Sequence, residues 1–112
     1  NSLAISCFSF IDVARRALKM QAILEEEFRA ATDHPRVKVT RILGALGVIE
    51  LHPEPTPGQP SLPHRIRLHL QRQGILLRPL GDVLYLMPPL IITNAELRAL
   101  ARALVQAVRE TP

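Results

Sequence analysis

The run VKVTRILGALGVIEL, residues 37–51, decides what kind of fold this chain adopts. Val37, Val39 and Arg41 alternate with Lys38 and Thr40, a period of two that belongs to a strand and not to a helix. Gly44 and Gly47 bracket a turn, and Gly47–Leu51 reads as the return strand. The spacing of these glycines does not match a dinucleotide-binding fingerprint, and no strand-then-helix context surrounds them. A β-turn between antiparallel strands is the reading that remains.

Working outward toward the N-terminus, the period changes to that of a helix. Residues 2–31 are predicted as one long helix with Asn1 as N-cap. Leu3, Cys7, Ile11, Ala14 and Leu18 form a first apolar stripe, and Ala17, Met20, Leu24 and Phe28 form a second. Ile5, Phe8, Phe10 and Val13 add apolar residues on other faces, so the first half is expected to be buried on most sides. The half carrying Arg15, Arg16, Lys19 and Glu25 to Glu27 is expected to face water on one side. Asp33-His34-Pro35 stops the helix, because the residue before a proline resists helical geometry.

Toward the C-terminus, residues 52–64 (HPEPTPGQPSLPH) read as a stiff loop rich in proline. A short helix over 62–73 follows, with Ser61 or a neighbour as cap and Gly74 at its exit. Ile75 to Leu77 are predicted as a short buried strand, Gly81-Asp82 as a turn and Val83 to Met87 as a further strand. Pro88 and Pro89 end it, and Thr93 with Glu96 forms a capping box. Leu97, Leu100, Ala101, Leu104 and Val108 then make an amphipathic stripe. The order helix, two strands, helix, two strands, helix predicts an α+β unit: a small, mostly antiparallel sheet covered by helices.

The bulk properties narrow the function classes. At 112 residues, 47% hydrophobic and 21% charged, the chain fits a single folded domain and not a disordered one. A net charge of +4 invites a nucleic-acid reading, but the basic residues form no tight cluster and no aromatics interleave with them. No nucleic-acid partner is expected. The one cysteine, Cys7, lies on an apolar stripe and reads as an inert buried thiol in a reducing compartment. No apolar run approaches the ~20 residues of a membrane span, and the first eleven residues carry no basic leader. A cytoplasmic location is expected, with no membrane partner.

Chemistry-bearing residues are sparse. His64 and His69, five apart, do not share a helical face, and no metal site is expected from them. Lys19 and Lys38 lack the context of a Schiff-base lysine. Arg78 stands out. Pro79 biases it toward an extended backbone, so its guanidinium projects from a rigid edge. Such a fork grips a carboxylate or phosphate bidentately, a charge-assisted contact of roughly 1.5–3 kcal/mol. The residues alone leave two roles open: an anion clamp, or an internal salt bridge to Asp82.

Taken together, VKVTRILGALGVIEL and GILLRPLGDVLYLMPPLIIT (residues 74–93) resemble the C-terminal part of the class III pyridoxal-phosphate aminotransferases. The second stretch, with its tyrosine and LMPP, is most similar to the biotin-synthesis branch of that family. NSLA at the start resembles the NPLA that opens the long helix after the family's cofactor region. The resemblance implies the small C-terminal domain of a fold-type I aminotransferase, with residues 1–33 as the helix leading in and 36–112 as the small αβ domain. It implies that Arg78 binds the substrate carboxylate, that of 8-amino-7-oxononanoate in the biotin branch, and that Tyr85 lines the same pocket. Ser2 replaces the usual proline, and Leu80 and Leu90 stand where the biotin branch commonly has aromatics. The family's Schiff-base lysine and cofactor-binding residues match nothing in this chain. Pyridoxal phosphate and a homodimer are therefore expected of a complete enzyme, with no catalytic, cofactor-binding or metal-ligating residue in this chain, which alone is expected to be inactive. The alternative is a non-catalytic remnant or standalone interaction domain that keeps the fold.

Overall fold

The computed structural model describes residues 10–56 and 60–112. Its elements run α1 (Phe10–Thr32), β1 (Val37–Leu43), β2 (Leu46–Leu51), α2 (Leu62–Arg72), β3 (Arg78–Leu80), β4 (Val83–Leu86) and α3 (Asn94–Glu110). The predicted element order and the α+β class are those observed. The Asn1 cap and the stripe positions Leu3 and Cys7 lie outside the described residues.

Two tight turns set the sheet. Leu43 pairs with Leu46 across Gly44-Ala45, and Leu80 pairs with Val83 across Gly81-Asp82. Gly44 and Gly81 take φ of +57° and +58°, the left-handed geometry that two-residue hairpin loops demand. The sheet is wholly antiparallel in the order β1-β2-β4-β3, so the second hairpin docks through β4 and leaves β3 at an edge. Pro79 sits on that edge, where a missing N–H is tolerated.

One face of the sheet is buried and the other is not. Ile49, Leu51, Leu84 and Leu86 turn inward against Met20, Leu24 and Phe28 of α1, Ile66 and Leu70 of α2, and Leu97, Ala101, Leu104 and Val108 of α3. Gly47 lies inside β2 and not in the turn. A Cβ there would come within 2.8 Å of the Phe28 ring, so the glycine is what lets α1 approach the sheet.

Three details depart from the sequence reading. The strand expected at Ile75–Leu77 forms instead at Arg78–Leu80. With a two-residue loop, the residues flanking Gly81-Asp82 must pair first, which sets the strand's position from the turn backward. Ile75 meanwhile donates its N–H to the Leu70 carbonyl in the exit of α2. Of the half expected to be buried on most sides, Phe10 is 88% exposed and Ile11 62%, while Leu3, Ile5, Cys7 and Phe8 lie outside the described residues. Finally, Ser61 occupies the N-cap of α2 without a side-chain cap bond; Glu54, from the proline-rich loop, accepts the Leu62 N–H at 2.8 Å instead. The capping box at Thr93 and Glu96 forms as expected.

Candidate functional site

Cross-strand register brings the two predicted site residues together. Arg78 on β3 is the direct partner of Tyr85 on β4, Tyr85 is the partner of Val48 on β2, and Val48 of Arg41 on β1. Directly opposed residues of an antiparallel sheet share a face. Arg41, Val48, Tyr85 and Arg78 therefore form one row, and alternation with buried Ile49 and Leu84 puts that row on the face the helices do not cover. Tyr85 and Val48 are half-buried and make an apolar strip, while Arg41 and Arg78 are exposed at its two ends.

Arg78 also lies where this face meets the sheet edge. There it helps line an open cavity of about 530 Å³ with His64 and Arg67 of α2 and with Leu76, Leu77 and Pro79. Tyr85 is its strand neighbour but is not among the walls of that cavity. No hydrogen bond or ion pair engages the Arg78 side chain among the described residues, and the salt bridge to Asp82 is not formed.

Other arginines are engaged internally, which sharpens the contrast. Arg98 and Arg102 of α3 both hold Glu27 of α1, each at 2.9 Å, and the hydrogen bond from Arg102 together with that from Arg98 keeps the Glu27 carboxyl below its ordinary pKa. Arg65 joins the Pro112 carbonyl, the Pro60 carbonyl and the Glu54 carboxylate. Arg36 donates to the carbonyls of Val108 and Thr111 at the end of α3.

Sequence reasoning missed Arg16. Its guanidinium donates to the Leu90 carbonyl at 3.1 Å, to Asn94 Oδ1 at 2.6 Å and to the Ile92 carbonyl. It thus fixes the PPLIIT segment that runs from β4 to α3. Partners 74 to 78 residues away leave no local signal, and Arg16 read as one of several solvated charges.

Lys19 and Lys38 carry the only side-chain primary amines. Lys19 is exposed on α1, and Lys38 pairs with Glu50 at 3.4 Å. Neither lines the cavity with Arg78. Among the described residues no helix is long and apolar enough to cross a membrane.

Comparison with known proteins identifies the lineage of this arrangement. The family model for aminotransferase class-III matches residues 3–108. The chain is 34% identical to the adenosylmethionine-8-amino-7-oxononanoate aminotransferase of Nitratidesulfovibrio vulgaris, an alignment covering 96% of this chain and 22% of that protein. It is 29% identical to the enzyme of the same name from Aquifex aeolicus, over 97% of this chain and 26% of the relative. The solved adenosylmethionine-8-amino-7-oxononanoate aminotransferase of Methanocaldococcus jannaschii superposes with a TM-score of 0.80 at 29% identity, covering 96% of this chain and 26% of that one. The chain thus spans about a quarter of the length of the relatives it matches. On the family match across nearly all of its residues, the chain belongs to the class III aminotransferases.

Proposed function

We propose that this chain forms the substrate-carboxylate-binding part of a class III aminotransferase of the biotin-synthesis type, with 8-amino-7-oxononanoate as the substrate. One observation carries the reading: Arg78 stands beside Tyr85 on the sheet face opposite the helices, with no carboxylate partner among the described residues. Pyridoxal phosphate, when bound to a complete enzyme of this family, supplies the electron sink for amino-group transfer. The residues of this chain do other work. The Arg78 fork donates two parallel N–H hydrogen bonds to the substrate's carboxylate and so fixes which end of the substrate reaches the reacting centre. Tyr85 and Val48 offer an apolar strip along which a methylene chain lies, excluding water from it. Arg16, by holding the segment 90–94, keeps the approach to α3 in one conformation.

On this reading residues 1–33 lead into a small domain of residues 36–112, the complete enzyme is a cytoplasmic homodimer, and the 112-residue chain alone does not transaminate. Support for the biotin-type substrate comes from the relatives' names and from the YLMPP run after Arg78. The competing reading, a non-catalytic domain that keeps the fold, predicts no dependence of any transamination on Arg78. Steady-state kinetics on the full-length gene product separate the two. Arg78→Ala is expected to lower kcat/KM for a carboxylate substrate at least about tenfold, the scale of one lost charge-assisted contact, and to leave a neutral amine donor within about twofold. Equal loss on both would assign Arg78 a purely structural role.

A further inference from the structure

We propose that Glu50 is a specificity-determining residue: it holds a substrate ammonium while Arg78 holds the carboxylate at the other end of the same molecule. The inference rests on the reading of Arg78 as a carboxylate clamp and deepens it. Glu50 on β2 sits between Ile49 and Leu51, which are 0% and 1% exposed, so alternation sends its side chain out on the face opposite the helices. It is the one carboxylate among the residues of the four strands. Register fixes its place. Glu50 pairs with Val83, and Val83 with Leu80, a row adjacent to the one that runs Val48, Tyr85, Arg78. Two strand spacings of about 4.8 Å and one two-residue step of about 6.8 Å put the Glu50 and Arg78 backbones about 12 Å apart. Val48, Tyr85 and Val83 lie between them, all half-buried and largely apolar.

The face thus carries a cation, an apolar middle and an anion in that order. A monocarboxylate with an amine at the far end of its carbon chain meets all three, and 8-amino-7-oxononanoate has that pattern. Held at both ends, such a ligand lies in one direction only. Glu50 already has a partner: Lys38 Nζ is 3.4 Å from its Oε2, with the lysine side chain 57% exposed and the glutamate 27%. An ion pair this open contributes little, and the long lysine stem swings away at small cost. A ligand ammonium therefore replaces Lys38 on the less exposed carboxylate.

The test is calorimetric titration of the full-length protein with 8-(dimethylamino)octanoate and with 9-methyldecanoate, which have one shape and differ in the terminal cation. The tertiary amine cannot condense with a carbonyl cofactor, so the titration reads binding alone. Wild type is expected to bind the amine about tenfold tighter, the lower range for one charge-assisted contact. Glu50→Gln is expected to bring the two ligands within about twofold by weakening the amine alone. Glu50→Thr, a good strand former, carries the same expectation should the Gln variant fail to fold. Lys38→Gln breaks the same ion pair but leaves the carboxylate, and is expected to keep the preference. A wild type without preference, an unchanged preference in folded Glu50→Gln or Glu50→Thr, or its loss in folded Lys38→Gln overturns the inference. Arg78→Gln reports separately: loss of 9-methyldecanoate binding supports the clamp, and unchanged binding removes it, whatever Glu50 does.

Discussion

At the scale of single residues, the chain's glycines and arginines divide by what surrounds them and not by type. Gly47 was readable as a glycine near a turn, but its function is to make room for Phe28, which is 1% exposed and cannot swing aside. Gly47→Ala should therefore destabilise the protein by about 1–3 kcal/mol, the range for overpacking a closed core. A urea midpoint equal to wild type would show that α1 shifts to accommodate the methyl. Arg78 was legible because Pro79 announces a rigid backbone locally. Arg16 was not, since its carbonyl partners come from the other end of the chain. Sequence reveals a side chain's environment when neighbours in the chain supply it, and hides it when the fold does.

At the scale of elements, periodicity identified every helix among the described residues and the strand–turn–strand units, while their exact extents followed hydrogen bonding. The strand at 78–80 shows why. Apolar Ile75-Leu76-Leu77 looks more strand-like than Arg78-Pro79-Leu80, yet the two-residue loop at Gly81-Asp82 dictates which residues face β4. Burial of α1 depended on how far its neighbours extend, which no helical period encodes. Of its second stripe, Met20, Leu24 and Phe28 are fully enclosed and Ala17 is half-buried.

The contact between α1 and α3 adds an electrostatic element with a definite pH signature. Arg102 and then Arg98, by hydrogen bonding, hold the Glu27 carboxyl below its ordinary pKa, and the side chain is only 10% exposed. A depressed folded pKa means that ionised Glu27 contributes stability above its unfolded value of about 4.3, and that this stability is lost as pH falls through the lower folded value. Glu27→Gln should lower the urea midpoint at pH 6, and its midpoint should fall less steeply than wild type between about pH 4.5 and pH 3. Parallel acid limbs for the two proteins would mean that Glu27 titrates alike folded and unfolded.

At the scale of the whole molecule, the fold is a helical layer on one face of a four-stranded antiparallel sheet, with the other face uncovered among the described residues. That one-sidedness gives Arg78, Tyr85, Val48 and Arg41 their common exposure, and it places a cationic group at each end of an apolar strip. The α+β class and the element order were readable from period and turn chemistry. The strand order was not, because β2 and β4 pair across the proline-rich loop and all of α2. Without that pairing, the row that assembles the site could not be drawn from sequence.

The central claim, that Arg78 grips a substrate carboxylate, is tested most directly by a double cycle of protein and ligand. The dissociation constants of a carboxylate substrate and of its neutral carboxamide are measured on the full-length protein and on Arg78→Ala. The account predicts a coupling between the two changes of about 1.5–3 kcal/mol, a charge-assisted contact present only when both partners are intact. Effects of the two changes that simply add, with no coupling, would contradict it.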